Sequence, residues 1–292
     1  MFSASPNRWN ARARRISSRR HCFSPARHEK LVNSERTSYH SAVPVRLSII
    51  VPVYNEEDNI LPMAEECAKA MECAGGVDGK FEVVFVDDAS TDATWKKIAE
   101  AQKKNPHVVG LRHLKNAGQS AALWTGIQAT EAPLIATLDG DLQNDPADIP
   151  RMLKELDEVD FVCGMRLNRQ DNFIRRTSSM LARKARQWAL AADFHDTGCA
   201  MRVFRREALE GVFPFNGLHR FLPILVHNGG FKTREIPVNH RARVAGVSKY
   251  GIGNRLWRGL ADLFAIRWYQ RRRTGHIEVE ELKGRKVRAR KE

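Results

Sequence analysis

The sequence has few cysteines, and their spacing does not fit a metal site. Five cysteines occur among 292 residues, and no Cys-x-x-Cys pair is present. Their odd number, and the position of three of them inside predicted strands or helices, indicate reduced thiols in a cytosolic setting without a zinc site. The ten histidines are scattered. None has metal-site spacing to an acid or a cysteine, so we predict structural or surface roles for them.

Long apolar runs and common nucleotide motifs are missing as well. No run of about 18 or more uncharged apolar residues occurs, so we expect neither a membrane-spanning helix nor a signal peptide. No Gly-x-Ser-x-Gly or Walker A motif is present. The glycines at 246–253 do not form a dinucleotide-binding fingerprint, because no strand-to-helix turn of the right length precedes them.

Basic charge is concentrated at the two ends of the chain. The net charge is +14, with nine Lys/Arg and two Asp/Glu in residues 1–42, and ten and four in residues 267–292. The basic charge therefore indicates a partner that binds the ends of the chain, and it carries no information about the fold. Segment 1–42 is rich in Arg and Ser and is predicted to be disordered. A transit peptide or an overlong translation start has the same composition. The charged tail, 274–292, is also predicted to be disordered, and it can be drawn to anionic lipid.

Strand and helix patterns alternate along the first half of the chain. Predicted strands cover 45–53, 81–86, 108–111, 133–138 and 161–163. Predicted helices cover 91–104, 116–130 and 146–156, and an earlier one ends near 73. This order predicts an α/β domain over 43–253 with a mostly parallel sheet and helices on both faces. Further on, the pattern predicts helices at 171–192 and 218–228 and strands at 200–204 and 231–238.

Three predicted strands end in polar clusters, namely Tyr54-Asn55-Glu56, Asp87-Asp88 and Asp139-Gly140-Asp141. Ligands of parallel sheets bind at the carboxyl ends of strands, so we expect these clusters to share one crevice. Two carboxylates one residue apart are hard oxygen ligands of the kind that Mg²⁺ or Mn²⁺ needs to hold a diphosphate. Gly140 would let the backbone approach a ligand closely. Asp145 is the predicted N-cap of the next helix, with Pro146 as its first residue.

An amphipathic helix is predicted over 254–273. Its Leu and Trp residues recur with helical spacing up to Trp268, and Arg271, Arg272 and Arg273 follow. This pattern is typical of a helix lying in a membrane interface. A last helix packed on the protein core has the same pattern, and the sequence leaves both interpretations open.

Together these motifs resemble the family 2 glycosyltransferases of the GT-A fold, and among them the dolichol-phosphate mannosyltransferases and undecaprenyl-phosphate sugar transferases. The matching motifs are Val51–Glu56, Val86–Ser90, Asn116–Gly118, Asp139–Gln143, Gly164–Arg166, Asp196–Gly198 and Arg243–Lys249. The resemblance implies a nucleotide-diphospho-sugar transferase fold. It also implies an inverting enzyme that moves a sugar from a GDP- or UDP-linked donor to a polyprenyl (undecaprenyl or dolichyl) phosphate.

The resemblance also implies roles for single residues. Those implied to bind the nucleotide sugar are Pro52, Tyr54, Glu56, Val86, Asp88, Asp139, Gly140, Asp141, Gln143 and Arg166. Asp139, Asp141 and Gln143 would hold Mg²⁺ or Mn²⁺. Arg166, Arg243 and Lys249 match basic residues near the diphosphate and the acceptor phosphate, and these three act with Asp139 and Asp141 in catalysis. Arg175 and Arg176 are further candidates for the acceptor phosphate, although a solvated helix face is equally compatible with them.

The implied location is the cytoplasmic face of a membrane, in a bacterium the inner membrane. The chain would be bound peripherally to an anionic membrane surface, and a membrane partner subunit or a homo-oligomer stays open. One alternative is transfer to a polysaccharide or another non-phosphate acceptor. That reaction needs a catalytic carboxylate, whereas 165–195 is rich in Arg. The other alternative is a basic nucleotide- or nucleic-acid-binding protein without catalysis. The charge lies in the ends, so we expect no nucleic-acid partner.

Overall fold

A seven-stranded sheet forms the centre of the protein. The computed structural model describes residues 45–72, 80–166, 187, 193–241 and 253–272. The strands are β1 (Leu47–Val53), β2 (Phe81–Asp87), β3 (Val108–Arg112), β4 (Leu134–Thr137), β5 (Phe161–Arg166), β6 (Arg202–Arg205) and β7 (Thr233–Val238). Their order in the sheet is β3-β2-β1-β4-β6-β5-β7.

Helices connect and cover these strands. They are α1 (Ile60–Glu72), α2 (Thr94–Lys104), α3 (Gln119–Ala129), α4 (Ile149–Glu155), α5 (Leu218–Asn228) and α6 (Gly253–Arg272), with short 3₁₀ turns at Pro146–Asp148 and Arg206–Leu209. No helix of the described ranges is long and apolar enough to cross a membrane.

The sheet is mostly parallel, as predicted. β1 pairs in parallel with β2 and β4, and β2 pairs in parallel with β3. β6 is the exception, because it runs antiparallel to both β4 and β5. β6 therefore begins at the edge of the sheet where β4 ends, and its first residue, Arg202, lies opposite Thr137.

Helices lie on both faces of the sheet, which confirms the α/β prediction. On one face, Ile49 and Val51 of β1 belong to a buried cluster with residues of α1, α2 and α4. On the other face, Ile50 belongs to a second cluster with residues of α3, α5 and α6. Successive side chains of a strand point to opposite faces, so the continuous apolar run of β1 supplies both clusters.

Some helix boundaries differ from the sequence prediction. α2 begins at Thr94 and not at Thr91, because Ser90 and Thr91 are bonded instead to the loop after β1. α3 begins at Gln119 and not at Asn116, since Gly118 has a φ of 91° at its N-cap. The cap before α4 is confirmed: the Asp145 side chain accepts a hydrogen bond from the Ala147 N–H, with Pro146 next to it.

Several predicted segments lie outside the described residues. They include 1–42, the charged tail 274–292 and, apart from residue 187, the predicted helix 171–192. Among the residues that the structure describes, Cys67, Cys163 and Cys199 are buried free thiols, in agreement with the expectation from the sequence.

Candidate active site

The site is built where three neighbouring parallel strands end. β1 lies between β2 and β4, so the segments that follow these strands emerge at the same edge of the sheet. Hydrogen bonds join them at that edge: Asp88 N–H donates to Val53 O, and Leu138 N–H donates to Ile50 O. The three polar clusters named from the sequence are thereby brought side by side.

Each of the three segments contains one residue in the left-handed backbone region. These are Asn55, Ala89 and Leu142, with φ values of 53°, 61° and 58°. A non-glycine residue in this region costs about 1 kcal/mol or more, and such strain is typical of functional sites. The Leu142 side chain is buried in the core, which helps to hold its backbone in place.

Hydrogen bonds fasten the loop after β1 to the loop after β2. The Asn55 side chain accepts from Thr91 N–H at 2.8 Å, and Thr94 Oγ1 accepts from Glu56 N–H at 2.8 Å. Glu57 accepts from Ala93 N–H at 2.8 Å. These bonds make one rigid wall, on which the predicted nucleotide residue Tyr54 is exposed.

The other residues predicted for the nucleotide pocket have diverse surroundings. Pro52 is half-buried at the end of β1, and Glu56 accepts a hydrogen bond from the Asn59 side chain at 2.7 Å. Val86 is completely buried, and its side chain packs towards Gly126 in the core. The Val86 side chain thus has no surface in the crevice for a nucleotide to contact.

Asp88 is a buried carboxylate that anchors the loop before α3. Its Oδ1 accepts from Ala117 N–H at 2.8 Å, and its Oδ2 accepts from Gly118 N–H at 2.7 Å. His113 Nδ1 lies 2.7 Å from Oδ1. A carboxylate at a helix N-terminus is favourable because it meets unpaired N–H groups and the positive end of the helix dipole. No pattern in the sequence indicates this role, since Ala117 and Gly118 are distant from Asp88 along the chain.

Asp139 and Asp141 lie just beyond β4. Asp139 is half-buried and accepts a hydrogen bond from the Gln119 side chain at 2.7 Å. Asp141 is buried, and its Oδ1 lies 3.3 Å from Gln143 N. A Cβ on Gly140 would lie 2.6 Å from Val53 Cγ1, so a larger residue here would require the Val53 side chain to move. The expected close approach of this backbone to a ligand stays a prediction.

The donor set at this position fits a hard divalent cation. Carboxylate and amide oxygens are the ligands that Mg²⁺ and Mn²⁺ prefer, and Mg²⁺ commonly uses one or two carboxylates with substrate phosphates and water. Within the described residues, no third Asp, Glu, His or Cys completes a metal cluster. A cation at Asp139 and Asp141 would therefore need further oxygens from a diphosphate and from water.

Arg166 lies on the other side of the acids, at the end of β5. Its guanidinium forms two hydrogen bonds with Asp196, at 2.7 and 2.8 Å. Burial by itself would lower the pKa of Arg166, but the bonds and charge of Asp196 raise it above its ordinary value. Glu235 holds Asp196 in turn, since it accepts from Asp196 N–H at 2.9 Å. Arg166, which is predicted to lie near the diphosphate, is thus held by Asp196 and, through it, by Glu235. From the sequence, neither acid has a predicted role.

Arg241, which follows β7, lies next to the segment after the acids. Arg241 N–H donates to Gln143 O at 2.8 Å, and the Arg241 side chain pairs with Glu66 and Asp145 at 2.8 and 2.6 Å. Arg243 and Lys249 follow in the sequence. Those two residues, together with Arg175 and Arg176, lie outside the described residues.

Known proteins share this sequence pattern. The sequence profile named Glycosyl transferase family 2 matches residues 48–213. The chain is 38% identical over 243 residues to the dodecaprenyl-phosphate galacturonate synthase of Rhizobium johnstonii. That match covers 80% of this chain and 70% of the relative.

Solved structures share the fold. A mannosyltransferase from Pyrobaculum calidifontis in complex with GDP-Man and Mn²⁺ is 21% identical, with a TM-score of 0.52 and coverage of 87% of this chain and 72% of its own. Glucosyl-3-phosphoglycerate synthase from Mycobacterium tuberculosis, in complex with Mn²⁺, UDP and phosphoglyceric acid, is 17% identical. Its TM-score is 0.57, and the match covers 80% of this chain and 84% of that one.

Proposed function

Because this chain belongs to glycosyl transferase family 2, we propose that it transfers a sugar from a nucleotide-sugar donor to a polyprenyl phosphate. The observation that carries this proposal is the 38% identity to a dodecaprenyl-phosphate galacturonate synthase, which extends over 80% of the chain. The product would be a lipid-linked sugar for the synthesis of envelope glycans or other glycoconjugates. The sugar and the nucleotide stay open, because GDP- and UDP-linked donors are both compatible with the motifs.

On the donor side, we assign the diphosphate to the crevice at Asp139 and Asp141. These carboxylates, with Gln143, would hold Mg²⁺ or Mn²⁺, and the bound ion would neutralise charge on the diphosphate. Pro52, Tyr54 and Glu56 would line the nucleotide pocket, and Asp88 would shape it by fixing the loop before α3. Arg166 would add a fixed positive charge near the leaving group, because Asp196 restricts its position.

On the acceptor side, the chemistry requires cations more than a base. A lipid phosphate is already an anion near neutral pH, so it can attack the anomeric carbon without losing a proton. Arg175, Arg176, Arg243 and Lys249 are the predicted residues that would overcome the repulsion between the two phosphates and align them. In-line attack would invert the configuration at the anomeric carbon.

The Arg166–Asp196 pair supports a phosphate acceptor. A hydroxyl acceptor would need a carboxylate free to take a proton. Both oxygens of Asp196 accept hydrogen bonds from the Arg166 guanidinium, so this carboxylate is poorly suited to act as a base. We therefore favour a lipid phosphate over a polysaccharide hydroxyl.

For membrane attachment, we propose that α6 lies in the interface of an anionic membrane. Leu263 and Ile266 pack on the core, while Phe264 and Trp268 on the same helix are 66% and 64% exposed. Arg271 and Arg272 are exposed one turn further on. Exposed aromatic residues next to arginines suit a surface of anionic lipid headgroups. The chain would then work as a peripheral protein at the cytoplasmic face of the membrane.

The activity can be tested with the full chain, Mg²⁺ or Mn²⁺, a polyprenyl phosphate and a panel of labelled sugar nucleotides. We expect label in a lipid product for one donor. The matched control is the same polyprenol without its phosphate, which should give no product. Transfer to the unphosphorylated alcohol or to a polysaccharide, with none to the phosphate, would overturn the proposal.

A further inference from the structure

A buried arginine lies beside the acids and belongs to none of the motifs discussed so far. Arg202 is the first residue of β6 and is 3% exposed. It lies opposite Thr137, the last residue of β4, and Asp139 follows Thr137 by two positions. Because β6 runs antiparallel to β4, Arg202 lies at the edge of the sheet where the site is built.

The hydrogen bonds of Arg202 leave its charge without a paired carboxylate. Its Nη2 donates to His219 O at 2.7 Å and to Thr197 O at 3.2 Å. Its Nε is buried and has no hydrogen-bond partner. Among the described residues, no Asp or Glu forms an ion pair with it. A buried charge costs several kcal/mol unless nearby groups compensate it. Arg202 therefore requires a source of negative potential.

Two acids of the site supply negative charge that acts on Arg202. Burial lowers the pKa of Arg202, and the charges of Asp139 and Asp196 oppose that shift. The neighbouring thiols do not contribute near neutral pH, because burial raises the pKa of Cys163 and Cys199 and keeps them protonated. Asp139 thus interacts with two cations, Arg202 below it and Arg166 beside it.

Polar contacts hold this arrangement in place from both sides. Ser120 Oγ lies 2.7 Å from His219 Nδ1 and accepts from Gly217 N–H at 3.0 Å. The preceding residue, Gln119, donates to Asp139. Arg220 Nε, which can only donate, lies 3.3 Å from His219 Nε2, so the ring proton is on Nδ1. Burial lowers the pKa of His219 to about 3, so the ring adds no second positive charge.

We propose that Arg202 is a positioning residue for the transfer reaction, whose buried charge balances Asp139 and the donor diphosphate above it. This inference rests on the proposed function. When the bond from the anomeric carbon to the diphosphate breaks, its electron pair stays on the diphosphate oxygen, while an oxygen of the acceptor phosphate bonds to the carbon. A fixed positive charge in a low-dielectric interior favours this build-up of charge without touching the substrate.

The chain offers a matched control in Arg206, just beyond the other end of β6. Its guanidinium is also held by protein oxygens, namely Ala132 O at 2.7 Å, Ile127 O at 2.8 Å and Thr130 Oγ1 at 2.8 Å. Burial lowers its pKa as well. Arg206 N–H bonds Pro133 O next to the start of β4, so this arginine lies at the edge of the sheet opposite the site.

The test compares Arg202→Gln, which is neutral, with Arg202→Lys, which keeps the charge, and with Arg206→Gln. For each full-length variant we would measure thermal unfolding, binding of UDP and of GDP with Mn²⁺ by calorimetry, and kcat and KM for transfer. We expect Arg202→Gln to weaken nucleotide–Mn²⁺ binding at least tenfold and to lower kcat about a hundredfold. Arg202→Lys should recover much of both, and Arg206→Gln should change only the unfolding temperature.

Arg202→Met serves as the second neutral variant if the Gln variant does not fold. Wild-type binding and kcat in either neutral variant would overturn the inference, and so would equal losses in the Lys and the neutral variants. If the wild type makes no lipid-linked sugar, the proposed function fails. The calorimetric comparison of Arg202→Gln with Arg206→Gln still decides the role of Arg202.

Discussion

Asp139 and Asp141 are one residue apart, yet their surroundings differ. Asp139 is half-buried between Gln119 and two arginine charges. Asp141 is 8% exposed and stabilises its own turn through Gln143 N–H. Gly140 between them packs closely against the Val53 side chain. A buried carboxylate has lost much of its hydration, so a bound cation would compensate it strongly.

The first prediction concerns Asp141→Ala. We expect transfer to fall at least about a thousandfold, because we assign Asp141 as one of two carboxylate ligands for the ion that holds the diphosphate. Radiolabel in the lipid product measures this effect. The control is Asp157→Ala, which removes an exposed acid beyond α4 and should retain full activity. Full activity of Asp141→Ala with an unchanged metal requirement would remove Asp141 from the site.

A second prediction at this scale separates acceptor from donor. Lys249→Ala should lose transfer to the lipid phosphate but keep its affinity for the nucleotide, because we assign Lys249 to the acceptor phosphate. Equilibrium binding of the nucleotide, set beside turnover, distinguishes the two effects. Unchanged turnover would show that Lys249 acts elsewhere.

Asp88 leads to a prediction about stability. Asp88→Asn replaces an acceptor of several hydrogen bonds with an amide whose NH₂ group must face the N–H of either Ala117 or Gly118. We expect a loss of about 1.5–3 kcal/mol in the free energy of unfolding. Urea denaturation monitored by circular dichroism measures this loss. Stability equal to the wild type would contradict the anchoring role of this carboxylate.

At the scale of elements, α6 presents two different faces. One face packs through Leu263 and Ile266, and Tyr269 contacts Phe213 with ring centroids 4.6 Å apart. The other face leaves Phe264 and Trp268 exposed one turn apart. The two interpretations of this helix left open by the sequence are therefore compatible, because each describes one face.

The fourth prediction tests the exposed face of α6. The double variant Phe264→Ser with Trp268→Ser should bind vesicles that contain anionic lipid at least about tenfold more weakly, since each buried aromatic contributes about 1.5–3 kcal/mol. Co-sedimentation measures the binding. Leu263→Ala, on the packed face, should lower stability and leave the vesicle affinity of the folded protein unchanged. If the double variant bound the vesicles as tightly as the wild type, the lipid-facing role of this face of α6 would be refuted.

For the whole molecule, the burial of His219 predicts how stability depends on pH. Its pKa falls from 6.5 to about 3, chiefly because of burial and then because of Arg220 and Arg202. Between these values the unfolded chain takes up a proton and the folded protein does not. The stabilisation is therefore complete above pH 6.5 and is lost as the pH falls towards 3, by at most about 1.4 kcal/mol per pH unit.

This fifth prediction is checked by urea unfolding of wild type and His219→Gln between about pH 4.5 and 7.5. The variant should lose less stability on acidification than the wild type. His227→Gln, which replaces an exposed histidine on the same helix, should follow the wild-type curve. Parallel curves for the wild type and His219→Gln would show that folding does not lower the pKa of His219.

The family and the fold could be predicted from the sequence alone. Apolar runs such as Leu47–Val53, with helical patterns between them, predict a parallel sheet through local periodicity, and the family and the α/β fold are confirmed. Asp139 and Asp141 could be named because they directly follow such a run. The roles assigned to single residues stay predictions.

Only the tertiary structure decided which distant residues surround those acids. Gln119, Arg202 and His219 reach the site from separate elements, and none of them lies in a motif named from the sequence. Asp196 does lie in such a motif, but its pairing with Arg166 follows only from the structure. The physical reason is that periodicity records which face of an element is apolar. The charge balance at Asp139 depends instead on the reversed direction of β6 and on burial, and both arise only when the sheet has formed.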